Sequence, residues 1–163
     1  MSEIYKRVLE SWNTGQVSLV QPLGYDATLA RFLAAGLNPA EDVTKFYSLV
    51  GGMTDYETDL DLWSCWSIDK IISEIGEYSR PGIPFGDWSI HSHVHIARAE
   101  STILSSIWVD HFSGGEPEKV ADSLEDFLDR YLKKDETTLV FFDEPSIRNR
   151  PAEQDSGLKR APR

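Results

Sequence analysis

The spacing of apolar residues changes along the chain from a helical period to an alternating one and back, and this limits what the chain can become. In the first fifty residues the period is helical. Ile4, Val8, Leu9 and Trp12 form one stripe, which predicts a helix over 3–12. A second helix is expected over 27–35, capped by Asp26, with Leu29, Phe32 and Leu33 inward and Gly36 ending it. A third opens at "NPAED" with Asn38 as cap and Pro39 at the first helical position. Val43, Phe46, Tyr47 and Val50 line its inner side, and Gly51 and Gly52 stop it.

Alternation then takes over. "DLDLW" places Leu60 and Leu62 on one face and Asp59 and Asp61 on the other, a strand pattern. A helical interlude, "SIDKIISEIGEY", carries Ser67 as cap and Ile68, Ile71, Ile72 and Ile75 inward. "SRPGIPFG" reads as a loop on its prolines and glycines. Strands are expected over 88–97, 102–110 and 119–121. A closing helix over 124–133, capped by Asp122 or Ser123, buries Leu124, Phe127, Leu128, Tyr131 and Leu132. "TTLVFF" adds an edge strand or an extended arm, and from Pro145 the chain is polar and aperiodic, which predicts disorder. The organisation expected is one domain over 1–144 and a polar tail over 145–163.

Within the alternating region "HSHVH" sets His91, His93 and His95 at every second position, so that one strand face carries all three. Pairing Ile96 with Ile103 aligns Ile90, Val94 and Ile96 with Val109, Ile107 and Ile103 as a single apolar face. The histidines then share the other face with Ser106, Trp108 and Asp110, and His111 points away from them. Neighbouring histidines of such a strand lie about 7 Å apart and could hold one zinc, but the outer two are about 13 Å apart. The best candidate set is His91, His93 and Asp110; ligands to complete it are not evident, so no metal and no other cofactor is expected. A metal-dependent enzyme is the reading that only these histidines favour. The alternative is a polar sheet face whose histidines make hydrogen bonds.

Other signals of chemistry are weak. The single cysteine, Cys65, excludes an internal disulfide framework and lies between Trp63 and Trp66 as a packed thiol. "TDYETDLD" alternates its acids like a calcium loop, yet has Leu60 and Trp66 where that loop needs glycine and glutamate. No phosphate loop, dinucleotide fingerprint or nucleophile elbow is present. The absence of a catalytic constellation favours a protein that is not an enzyme.

Charge narrows the partners. The chain has 16 basic against 27 acidic side chains, a net of -11. Five of the basic ones (Arg148, Arg150, Lys159, Arg160 and Arg163) belong to the tail, so the body is more acidic still. Such a body repels nucleic acid and anionic membrane and attracts a basic protein, although acidity also serves solubility. Apolar runs are too short to cross a bilayer, and "MSEIYKRVLESW" is charged and amphipathic rather than a secretory leader, so a cytoplasmic location is expected.

The order of pieces then matters more than any one of them. "FYSLVGGM" ends a helix; "DLDLW", "SIDKII", "IPFGDWSIHSHVHI", "SSIWVD", "SGGEPEKVADS" and "LEDFLDRYL" follow. This order, from about Asp26 to Leu132, resembles the SUKH superfamily, named for its yeast cell-wall regulator and bacterial immunity-protein members. Val50 stands where the family pattern usually has asparagine before the paired glycines. The resemblance implies an α+β fold: a twisted, mostly antiparallel sheet with helices packed against it. It also implies binding in place of catalysis, with no catalytic residues to carry over. The expected function is an immunity protein that binds and neutralises a cognate bacterial toxin domain, possibly a nuclease. A regulatory or scaffold module of the same fold is the alternative. The residues expected to meet the partner are Asp55, Tyr56, Glu57 and Asp59 of the acidic loop, then Glu116, Glu118 and Trp108.

Overall fold

The computed structural model describes residues 2–89, 92–111 and 114–138. Among these residues the fold is α+β, with five helices beside a twisted, open, five-stranded antiparallel sheet. Helices α1 (Glu3–Thr14), α2 (Tyr25–Ala34) and α3 (Glu41–Val50) come first. Strand β1 (Trp63–Cys65) and helix α4 (Ile68–Glu74) follow, then β2 (Ile83–Trp88), β3 (His93–Ala99), β4 (Ser105–His111) and β5 (Glu118–Ala121), and finally α5 (Leu124–Leu132). The strands lie in chain order, β1-β2-β3-β4-β5, so each connection joins neighbours.

One sheet face packs against α1, α3 and α5. Trp63 is at its centre, 4.8 Å from the ring of Tyr131, 5.7 Å from Phe127 and 6.0 Å from Trp12. Asp42, in the first turn of α3, ties that helix to the sheet by accepting from the Ser105 amide at 2.9 Å and the Ser105 hydroxyl at 3.0 Å. Over the opposite face run α4 and the loop after it. Trp66 donates to Asp87 at 2.6 Å, and Arg80 approaches Asp110 at 3.5 Å.

Helix ends depart from the expected caps. α2 opens at Tyr25 after Gly24, and α3 opens at Glu41 after Ala40, so Asp26, Asn38 and Pro39 do not cap them. Backbone supplies the partners instead: Glu41 and Asp42 donate their amides to Thr102 and Ile103 carbonyls of the β3–β4 connection. Leu33, expected inside, is 52% exposed. Ser67 and Ser123 do cap α4 and α5, accepting from the amides of Lys70 and Asp126.

The largest corrections concern the strands. The "IPFG" stretch is not a loop but most of β2, and 88–97 is not one strand: β2 ends at Trp88 and β3 begins at His93. Pro84 is tolerated because the register shifts between Pro84 and Gly86. Gly86 is required by close approach, since a Cβ there would lie 2.7 Å from the Ser64 carbonyl and 3.0 Å from the Trp63 ring. "DLDL" is a turn, and only Trp63 begins the strand. Ile96 pairs with Trp108, not Ile103, and Ala97 pairs with Ile107. Directly paired residues share a face. His93 and His95 therefore lie with His111, Val109 and Ile107, while Val94 and Ile96 lie with Asp110 and Trp108. The first two residues of the expected "TTLVFF" strand or arm, Thr137 and Thr138, instead belong to a 3-10 turn over Glu136–Thr138, and residues from Leu139 onward, with the tail, lie outside the described residues.

Candidate functional site

The new register dissolves the metal candidate. His93 and Asp110 occupy opposite faces, and His91 lies outside the described residues. His93 and His111 are paired, with ring centroids 4.8 Å apart, against the expectation that His111 points away. Burial first and the His111 charge second hold the His93 pKa below the ordinary value. No group of three metal-ligating side chains occurs among the described residues.

His95 is a core residue. Its Nδ1 accepts from Trp63 Nε1 at 3.4 Å, and its Nε2 donates to the Thr138 carbonyl at 2.9 Å. Those partners assign the neutral tautomer with the proton on Nε2. Burial pulls its pKa from 6.5 down to about 4, against the smaller upward pull of the Thr138 carbonyl.

The acidic loop has a defined construction. Gly52, with φ +90°, lets the chain leave α3 under the Trp66–Ser67 backbone; a Cβ there would sit 2.6 Å from the Trp66 carbonyl. Met53 then bridges to β1, its amide donating to Cys65 at 2.7 Å. Thr54 to Glu57 make a tight turn closed by the Glu57 amide on the Thr54 carbonyl at 3.0 Å. Tyr56 holds the third position with φ 66°, a place that normally takes glycine. Asp59 fixes the remainder. Its Oδ1 accepts from the amides of Asp61 at 2.8 Å and Trp63 at 3.0 Å. Its Oδ2 accepts from the Tyr131 hydroxyl, which itself accepts from Trp12 Nε1 at 2.9 Å. Burial raises the Asp59 pKa despite these bonds, which act in the other direction.

The four loop acids therefore divide. Asp59 is turned inward, and Asp61 lies 3.5 Å from Lys134. Asp55 and Glu57 flank Tyr56, and among the described residues neither carboxylate has an ion pair or hydrogen bond. Tyr56 is 98% exposed and Leu60 87% exposed, an aromatic and an aliphatic side chain left in water beside unpaired acids.

Below this loop is a surface cavity of about 330 Å³. Tyr56, Glu57 and Leu62 form one wall, and Ser64, Asp87 and Ser89 form the sheet side. Lys70 is the cation of its lining, with its ammonium 5.1 Å above the Trp66 ring and 3.5 Å from Glu74. Five non-glycine residues among those described have positive φ, and three of them, Tyr56, Leu62 and Ser89, line this cavity. Each such residue costs about 1–3 kcal/mol and persists only where surrounding bonds enforce it. Here the Leu62 carbonyl accepts from the Ser89 amide at 3.0 Å, and the Asp61 carbonyl accepts from Trp88 Nε1 at 2.9 Å. Two roomier surface depressions exist, one beside Tyr5, Lys45 and Ile103 and one beside Pro39, Arg98 and Trp108; neither has a strained non-glycine residue in its wall.

The other residues expected to meet a partner are not part of this cavity. Trp108 lines the second depression, where the Arg98 guanidinium stacks 4.3 Å over its ring and its Nε1 donates to Ser106 Oγ at 2.8 Å. Glu116 lies 3.6 Å from Arg80, and Glu118 lies 3.7 Å from His111. The sequence points to the loop but not to Leu62, Ser64, Lys70, Asp87 or Ser89 as its neighbours. Asp87 and Ser89 are hidden because β2 is not legible as a strand, and alternation alone places Leu62 in a strand. Among the described residues no helix is long and apolar enough to cross a membrane. Searched against models of protein families and against curated proteins, the chain matches none.

Proposed function

We propose that the chain is a binding protein of the immunity type, which attaches to a cognate protein toxin through a basic surface on that toxin and blocks it. The observation that carries this reading is the loop at Tyr56: an exposed aromatic side chain in a strained, internally braced turn, flanked by two unpaired carboxylates. Exposed aromatics within a charged rim are the usual energetic centres of protein interfaces. The net charge of -11 favours a basic partner, and a nuclease domain is basic where it grips phosphates. The order of elements that resembles the SUKH superfamily supports the same class.

The test is co-expression with the product of the neighbouring gene, scored by survival and by co-elution as a complex. Protection together with a stoichiometric complex is the expected result. A complex without protection would move the reading to a regulatory or scaffold module. No complex and no protection would overturn it.

A further inference from the structure

We infer that the cavity walled by Tyr56, Glu57, Leu62, Asp87 and Ser89 receives one arginine side chain, with an adjoining apolar residue, from the protein partner. This rests on the binding role proposed above and gives it a location and a chemistry. The lining sets the sign of the occupant. Glu57 is an unpaired carboxylate in the lining, and Asp87 is a second, buried carboxylate whose Oδ1 already accepts from Trp66 Nε1, so Glu57 carries the open negative charge. The cation present, Lys70, already faces Glu74 and the Trp66 ring, so the cavity offers an anion nothing comparable. About 330 Å³, at the small end of ligand cavities, has room for one long side chain and part of its neighbour.

Arginine fits better than lysine. Its planar guanidinium can pair with the Glu57 carboxylate while stacking on the Tyr56 ring, which is 98% exposed and therefore has a face to cover. Hydroxyls of Thr58, Ser64 and Ser89 in the same lining can accept the remaining N–H groups. Leu62 and Leu60, 53% and 87% exposed, give an apolar neighbour of that arginine something to bury against.

The probe is the peptide acetyl-Leu-Arg-Leu-amide, with a counterpart carrying neutral citrulline in place of arginine. Each is titrated into the isotope-labelled full chain and followed by amide chemical shifts. The arginine peptide should move the amides of Leu62, Ser64 and Ser89 at millimolar concentration, and the citrulline peptide should not. Glu57→Gln should weaken the arginine peptide about 1.5- to fivefold, the range of an exposed charge pair. Equal binding of the citrulline peptide, shifts confined to other surfaces, or no shifts at all would each overturn the assignment. Partner binding separates this failure from that of the binding role. If a toxin is neutralised equally well by the Tyr56→Ala and Glu57→Gln chains, the cavity is the wrong place and the binding role stands. If the peptide seats in the cavity and no partner protein is found, the cavity stands and the immunity role falls.

Discussion

Tyr56 occupies a backbone position that glycine would fill at lower cost, and its side chain gains no packing in return. Tyr56→Gly removes strain of about 1 kcal/mol but gives the unfolded chain more freedom, and the two effects nearly cancel. The unfolding midpoint should stay within about 2 °C of the parent or rise. Affinity for the partner should fall at least about tenfold, as expected for an aromatic anchor. Calorimetry and titration on the same sample separate the two. His95 yields a second expectation. Its folded pKa of about 4 lies below the unfolded 6.5, so the unfolded chain binds the extra proton between them. The stability linked to His95 is complete above pH 6.5 and is lost as pH falls towards 4, about 3 kcal/mol in all. Asp59 acts with the opposite sign, because its folded pKa is raised: its contribution is complete below the unfolded value of 3.8 and is lost as pH rises through the folded one. Denaturant melts of His95→Gln from pH 7 to pH 4 should show a shallower loss than the parent. An identical slope would remove His95 as the cause.

At the level of elements, the helices are legible in the sequence and the central hairpin is not. The stripes of α1 and α5 and the serine caps of α4 and α5 are local signals, and the structure places each where its signal lies. The β2–β3 pair inverts the usual punctuation: Pro84 and Gly86 are inside β2, while Ser89 follows its end and Ser92 precedes β3. Those departures have tertiary causes, a register shift and the Trp63 ring lying against Gly86, which a one-dimensional pattern does not record. The β3–β4 register escapes the pattern for a related reason. Val94 to Ala97 are buried on both faces, so alternation no longer distinguishes inside from outside. The acidic loop is legible through its composition; its cavity is not, because Asp87 and Ser89 reach it through β2. Gly86→Ala tests the tertiary explanation. The added methyl meets the Ser64 carbonyl and the Trp63 ring, and overpacking of this kind should cost about 1–3 kcal/mol by chemical denaturation. A neutral result would mean that neither the Ser64 carbonyl nor the Trp63 ring confines this position.

For the whole molecule, the proposed binding role implies that charge would govern how fast a basic partner arrives more than how long it stays. With a net of -11, association should slow at least about tenfold between about 20 and about 300 mM sodium chloride, with dissociation nearly unchanged. Stopped-flow or surface-based kinetics reads both rates, and a salt-independent association rate would exclude steering by the acidic body. Asp59 also has a consequence for the way such a molecule can change. Its carboxylate joins the loop to Tyr131, and through Tyr131 to Trp12, and with the Asp61–Lys134 pair it braces the second half of the loop from the helical side. Ahead of that brace, Asp55 to Glu57 belong to one turn, with Asp55 and Tyr56 exposed and Glu57 half-buried at the cavity. On the proposed binding role these residues would act as an exchangeable cassette: changes there would alter the partner surface while the bonds of Asp59 keep the rest of the loop in place, provided that position 56 takes a residue tolerant of positive φ.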